Sequence, residues 1–314
     1  MKKENGSTVT EFILLGFSDY PHLQLFISIT VFLIFLISVL GNLMFLMLMC
    51  TDTHLQKPMY FFLSNLSFLD ICNSSVTLST LLKGLLTGNM LISFSVCIVQ
   101  LYFFMSLTAT EILLLAAMAY DRYVAICNPL HYVLIMNRRV CVLLASVSWI
   151  LGFVEAMPQT IMTSLFSFCR SNEINHFFCD LTVLMKLSCS YLLNFEILVL
   201  IEGMFVVVAP FGLTLTSYIY IISSILKMHS AKGRNKAFST CSSHLTIVML
   251  FYGTLICIYL RPPSMYSPKQ DKLFSLLYTA LIPMLNPIIY SLRNKEVNKA
   301  LSKLIGTNNG MRIT

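Results

Sequence analysis

Met118-Ala119-Tyr120-Asp121-Arg122-Tyr123-Val124-Ala125-Ile126-Cys127 closes an apolar run that begins near Ser93, and it sets an acid beside an arginine at the end of that run. A charge at mid-bilayer costs several kcal/mol, so ionisable groups inside a membrane are usually functional. At a helix end the cost falls, because Arg can extend its head to the interface. The pair therefore has two readings. It is a charged mark at a membrane boundary, or it is a latch in which Asp121 holds Arg122 until something on the cytoplasmic face needs it. Spacing alone does not separate the two.

Around this stretch the composition is that of a membrane protein. Of 314 residues 57% are hydrophobic and only 11% are charged, whereas soluble domains carry about 25% charge. Runs of roughly 20 apolar residues, the length of a transmembrane helix, recur with short polar breaks, so the chain crosses a lipid bilayer many times. The net charge of +7 sits in short loops. Lys227, Lys232, Arg234 and Lys236 fall in one, Arg138 and Arg139 in another, and Arg293, Lys295, Lys299 and Lys303 follow the last span. That distribution is no footprint of nucleic-acid binding. By the positive-inside rule these loops are cytoplasmic, which puts the N-terminus outside.

The fold class expected is an all-α membrane protein, a seven-helix bundle with an extracellular N-terminus and a cytoplasmic C-terminus. Helices are expected near 23–50, 58–86, 93–127, 140–165, 195–228, from 236 to Arg261-Pro262-Pro263, and 272–292. The partition is an extracellular segment 1–22, a bundle 23–292 and a short tail 293–314. Residues 1–22 are polar and the first apolar run is too long for a signal-peptide core, so the first span is expected to act as a signal anchor. Asn5-Gly6-Ser7 is a glycosylation sequon placed to meet the lumenal machinery; two further triplets, at Asn65 and Asn73, lie inside a span.

Five strings, in order and at the right spacing, carry a resemblance. They are Met118–Cys127, Pro58-Met59-Tyr60-Phe61-Phe62-Leu63-Ser64-Asn65-Leu66-Ser67, Ser217-Tyr218, Lys236-Ala237-Phe238-Ser239-Thr240-Cys241-Ser242-Ser243-His244-Leu245 and Pro283-Met284-Leu285-Asn286-Pro287-Ile288-Ile289-Tyr290. Together they identify the chain as similar to the olfactory receptors among rhodopsin-like G-protein-coupled receptors. The resemblance covers nearly the whole chain. It implies a small volatile ligand, a heterotrimeric G protein of the stimulatory olfactory type, cyclic-AMP signalling, and residence in the plasma membrane of sensory cilia. It also implies that Asp121, Arg122, Tyr123, Tyr218, Asn286, Pro287 and Tyr290 form the coupling and switch set. Two departures stand out. Leu55-Gln56-Lys57-Pro58 replaces a segment more often carrying His and Thr, and no cysteine follows Arg293, so a palmitoylated tail is not expected.

Cys97 and three cysteines of the long loop, Cys169, Cys179 and Cys189, share the oxidising side. Four cysteines allow three pairings that sequence does not decide. The resemblance, through His176-Phe177-Phe178-Cys179-Asp180, implies Cys97–Cys179 and leaves Cys169–Cys189. A loop about 30 residues long is uncommon unless functional, and here it is expected to be a lid over a pocket.

Inside the membrane, Glu111 lies eleven residues before Arg122, about three turns up the same face. Asp70, Asn42 and Asn286 fall at comparable depth. They read either as a hydrogen-bonded cluster that fixes packing or, by resemblance, as a site where Asp70 and Glu111 share a sodium ion. No other cofactor is expected. Pro287 removes a backbone hydrogen bond and kinks its helix, and the adjacent Asn286 can satisfy the freed carbonyl.

Counting helical turns outward from these landmarks gives a candidate ligand cavity. Phe104 and Thr108, with Met105 and Ala109 beside them, come from helix three; Glu202 and Val206 from helix five; Tyr252, Leu255 and Tyr259 from helix six; and Thr279 from helix seven. Singly, each apolar member reads as ordinary packing, and only their convergence suggests a pocket. Thr108 and Tyr259 are the expected hydrogen-bond donors, and Glu202 either faces a donor-bearing ligand or lies idle at the interface. A chemoreceptor of the same fold outside the nose is the alternative within receptors. A transporter would show paired broken helices. Enzyme activity is not expected, since His176, His229 and His244 lie apart and no HExxH motif occurs.

Overall fold

The structure is a computed structural model, and it describes residues 9–18, 21–52, 55–168, 171–190, 193–259, 267–293 and 295–304. Six helices among them are long and apolar enough to cross a membrane. They are Gln24–Thr51, Phe94–Cys127, Arg138–Ser164, Leu193–Leu226, a stretch within Ala231–Tyr259, and Pro268–Tyr290. Pro58–Thr87, 30 residues long, completes a bundle of seven. At 1.5 Å per residue it reaches about 45 Å. Its hydropathy is lower because Ser67, Asp70, Asn73, Ser74 and Thr77 are turned inward and buried. These helices are called the first to seventh spans. The end carrying Cys97 is called outer and the end carrying Arg122 inner.

Local chemistry sets the ends. Pro58 and Pro268 open their helices, where a missing N–H costs nothing. Gly88 closes the second span in the left-handed conformation at φ +69°. Ser93 and Asn137 cap the third and fourth spans by accepting from Val96 N and Val140 N. The sixth and seventh helices start at Ala231 and Pro268, ahead of the expected 236 and 272. Hydropathy marks the apolar slab, whereas a helix continues into water for as long as its polar turns permit.

Three features had no sequence signal strong enough to read. The first is a sheet at the outer end, in which β1 (Glu11–Leu14) runs antiparallel to β2 (Leu91–Ser93) and parallel to β3 (Glu173–Ile174). Phe12 and Leu14 alternate inward and are buried, with Phe12 edge-on to Phe168 at 5.2 Å. The N-terminal segment is therefore part of the roof. The second is a pair of π-helical turns, Met204–Val208 in the fifth span and Leu277–Leu281 in the seventh. The third is an amphipathic helix, Lys295–Leu304, which buries Val297 and Ala300 at the inner end.

The core runs the length of the bundle. Third and fourth spans approach closely at Gly152, where an added Cβ would sit 2.2 Å from Thr110 Oγ1 and 2.8 Å from the Ser106 carbonyl. The first and seventh spans meet at Gly41, whose missing side chain admits the Pro287 ring.

Candidate functional site

Above the inner polar groups, aromatic rings from several spans meet edge to face. Phe211 of the fifth span lies 4.8 Å from Tyr252 of the sixth, and Tyr252 lies 5.5 Å from Phe251. Phe251 is 5.5 Å from Tyr278 of the seventh, and Tyr278 is 6.0 Å from Phe104 of the third. Phe104 ends the arc 4.8 Å from Phe178 of the outer loop. Tilted and edge-on rings at these distances attract beyond their buried area. Of the expected cavity residues, Phe104, Tyr252 and Leu255 are buried in the core that holds this arc, Met105 is half-buried against it, and Ala109 is buried. The side chain of Tyr259 lies outside the described residues.

Tyr278, which sequence reasoning passed over in favour of Thr279, ties the arc to the polar groups below. Its hydroxyl reaches Thr108 Oγ1 at 3.0 Å and Glu111 Oε2 at 3.2 Å, and Asn73 Nδ2 lies 3.5 Å away. Thr279 is buried and donates to the Ser275 carbonyl one turn back. The miss has a physical cause. A π turn inserts a residue, so counting 3.6 residues per turn outward from Asn286 through Leu277–Leu281 lands one position late. Thr108 is also not a free donor, because its proton goes to the Phe104 carbonyl at 2.8 Å. The arc carries two tyrosine hydroxyls, that of Tyr278, bonded to Thr108 and Glu111, and that of Tyr252, which is buried.

The other π turn has the same effect on the fifth span. Turn counting along an unbroken fifth span puts Glu202 and Val206 on the cavity face, but the π turn Met204–Val208 intervenes. Val206 is half-buried, and Glu202 accepts from Gln159 Nε2 of the fourth span, beside Glu155.

The loop roof is fixed at several points. Cys97 and Cys179 are disulfide-bonded with their Cα atoms 5.5 Å apart. Cys189 is also in a disulfide, and its expected partner Cys169 lies outside the described residues, as does Asn5. Gln100 receives the Cys179 N–H at 3.0 Å and passes its own amide protons to Val76 O and Thr80 Oγ1. His176 contacts Ser275 Oγ at 3.2 Å and stacks on Phe177. Burial, helped by nearby Lys272 and opposed by Asp180, pushes the His176 imidazole down to about 4, so it is neutral at physiological pH.

At mid-depth the polar residues expected to cluster do so. Asn286 Nδ2 donates to Asp70 Oδ2 at 2.8 Å. The proline carbonyl is satisfied differently from the expectation. The carbonyl freed by Pro287 is that of Pro283, four residues back, and it accepts at 2.9 Å from Asn42 Nδ2 of the first span. Asn286 is thereby left to hold Asp70. Gly41 and Asn42 act as one device, the first admitting the proline ring and the second capping its orphan carbonyl.

At the inner end Arg122 lies against Asp121, with Nη2 2.8 Å and Nε 3.2 Å from Oδ2. The carboxylate's other oxygen accepts from Tyr132 at 2.8 Å. Tyr132 opens the one-turn helix Tyr132–Ile135 of the following loop, a partner no motif announced. Burial first, and then the Asp121 charge, push the Tyr132 phenol up, so it remains a donor at neutral pH. Around Arg122, Tyr218 contacts His244 Nδ1 at 2.5 Å, and Tyr290 is buried within electrostatic reach of the guanidinium. Tyr123 packs between Tyr120 and Tyr220.

A family profile described as Olfactory receptor matches residues 31–308. The chain is 48% identical to Olfactory receptor 5F1 of Homo sapiens over 305 residues, which is 97% of each chain. It is 48% identical to Olfactory receptor 5AR1 of Mus musculus, over 98% of this chain and 99% of the relative. Olfactory receptor 2K2 of Homo sapiens is 47% identical over 98% of this chain and 96% of its own length. A seven-helix bundle with six strongly apolar spans, a disulfide-tied outer loop and an acid–arginine pair at the inner end of the third span are thus joined by homology along nearly the whole chain: the protein belongs to the olfactory receptor family, as a multi-pass plasma-membrane receptor and not an enzyme.

Proposed function

We propose that this receptor, with its N-terminus outside, binds small volatile and mostly apolar molecules beneath the outer loop and activates a stimulatory olfactory-type G protein, raising cyclic AMP in sensory cilia. The observation that carries the ligand class is the aromatic arc from Phe211 to Phe178, whose polar atoms are the hydroxyls of Tyr252 and Tyr278. Such a lining rewards burial and shape, with one hydrogen bond to set orientation. A ligand of about ten heavy atoms at roughly 0.5–0.8 kcal/mol per atom binds with a dissociation constant between about 0.2 mM and 1 μM. Support for the inner partner comes from Leu130, Val133 and Leu134, apolar yet 91%, 78% and 73% exposed beside the latch and next to exposed Arg138 and Arg139. That surface suits an amphipathic protein helix.

The same reading includes a sodium ion between Asp70 and Glu111. Asp70 Oδ1 and Glu111 Oε1 are both buried and unpartnered among the described residues, which fits a cation that needs oxygen ligands. A cyclic-AMP reporter screen of volatile compounds, with Arg122→Ala as the uncoupled control at matched surface level, tests the proposal. Apolar volatiles should activate the parent and not the control. A response carried only by charged, non-volatile compounds would contradict it.

A further inference from the structure

A second cavity of about 250 Å³ opens at the outer end, away from the aromatic arc, between the second span, the third span and the sheet. Leu14 and Ile92 bring the two strands to it, Met90 forms part of its wall, and Ser79, Thr80 and Lys83 line it from the second span. Lys83 is exposed and makes no ion pair or side-chain hydrogen bond among the described residues. Thr80 Oγ1 accepts from Gln100 and donates to nothing among the described residues. The cavity thus presents one cation, two hydroxyls and the Asn89 amide over an apolar wall.

Outside its mouth the third span continues this chemistry. Val96 lines the cavity, and Val99 and Phe103 follow it down the same face at i+3 and i+7, all three exposed. This ridge runs about 10 Å into the membrane at 1.5 Å per residue. At roughly 30 Å³ per heavy group, the cavity holds about eight heavy atoms, which suits a carboxylate and the first methylenes of a chain. A glycerophospholipid headgroup with its glycerol is larger than that.

We propose that this cavity is a second ligand site, which takes the carboxylate of a fatty acid on Lys83 and lays the chain along Val96, Val99 and Phe103. The site is wired to the lid. Thr80 bonds Gln100, and Gln100 receives the N–H of disulfide-bonded Cys179, so an acid on Thr80 pulls on the same chain of contacts that holds the outer loop. Gly84 sets the cavity's size, since an added Cβ there would lie 2.2 Å from Met90 Sδ and push that side chain away.

The test uses the full chain in phosphatidylcholine nanodiscs, with decanoate and methyl decanoate as probes. Saturating decanoate should raise the unfolding temperature by about 3 °C and the methyl ester should not. Lys83→Arg should keep the shift, Lys83→Gln should lose it, and Tyr278→Phe should leave it intact because the odorant cavity is not involved. Native mass spectrometry of the unmodified receptor, comparing bound decanoate with bound ester, gives an answer even if a variant fails to fold. Equal stabilisation by acid and ester, or an undiminished shift in Lys83→Gln, would overturn the site. A shift that requires phosphatidylglycerol in the disc and ignores decanoate would overturn the assignment to a free acid.

Discussion

At the outer end a disulfide, a three-stranded sheet and an arc of rings close the molecule. At the inner end the third span packs on an apolar cluster with Tyr218, Ile221, Ile225 and Cys241, and Asp121 adds one ion pair and one tyrosine hydroxyl bond among the described residues. Arg122 is 12% exposed and its salt bridge is to its own neighbour in sequence, so the pair restrains little of the bundle beyond what Tyr132 adds from the loop. The outer contacts include a covalent tie and a buried hydrogen-bonded network around Gln100 besides the rings, and none of these is traded easily for water. The latch at the inner end is ionic, and an incoming partner with its own polar groups can replace it at small cost. A receptor must keep the shape of its reading end while its reporting end changes partners, and the two chemistries divide along that line.

The comparison breaks most visibly if the outer end proves replaceable. Cys179→Ser opens the 82-residue separation closed by the disulfide and should cost about 2–5 kcal/mol, retaining the chain before the cell surface. Surface staining against total protein measures this, and normal trafficking would mean the sheet and rings suffice.

Acid should loosen the same end. The folded imidazole of His176 titrates near 4, below the ordinary value of about 6.5. A depressed folded value gives stability that is whole above about 6.5 and declines as pH falls toward 4, because the unfolded chain takes up the proton first. The total is on the order of 3 kcal/mol. Unfolding temperature should drop between pH 7 and pH 5, and His176→Gln should flatten that drop. An unchanged pH profile in the variant would move the effect to other groups.

A smaller effect sharpens the account of the cavity. Tyr278→Phe removes one of the arc's two hydroxyls while keeping the ring against Phe104 and Phe251, and it should cost an oxygen-bearing ligand about 0.5–1.5 kcal/mol. Half-maximal concentrations should rise several-fold for alcohols and ketones and stay put for hydrocarbons. A uniform rise would assign Tyr278 to packing alone.

What could be read in advance follows from how far each signal reaches along the chain. The spans were legible within a few residues because twenty apolar side chains outvote any local exception, and the latch was legible because Asp121 and Arg122 are adjacent. Asp70 and Asn286 were placed at one depth correctly, since turn counting holds through regular helix. It fails where the helix widens. The π turns at Met204–Val208 and Leu277–Leu281 shifted Glu202 toward the fourth span and hid Tyr278 behind Thr279, and nothing in those apolar strings announces an extra residue. Partners supplied from elsewhere were equally silent. Asn42 takes the Pro283 carbonyl from the first span, and Tyr132 takes Asp121 from a loop, at sequence distances no local pattern spans.

The separation of the two ends is tested most directly by a full odorant dose–response curve on Tyr132→Phe at matched surface level. The substitution removes the hydroxyl that holds Asp121 Oδ1 and touches nothing in the outer half. Discounted for a half-exposed side chain, the lost bond is worth about 0.7 kcal/mol, or roughly a threefold shift between states. The account predicts basal cyclic AMP raised about that much, with the order of ligand preference unchanged. Unchanged basal signalling, or a reordered ligand ranking, would contradict it.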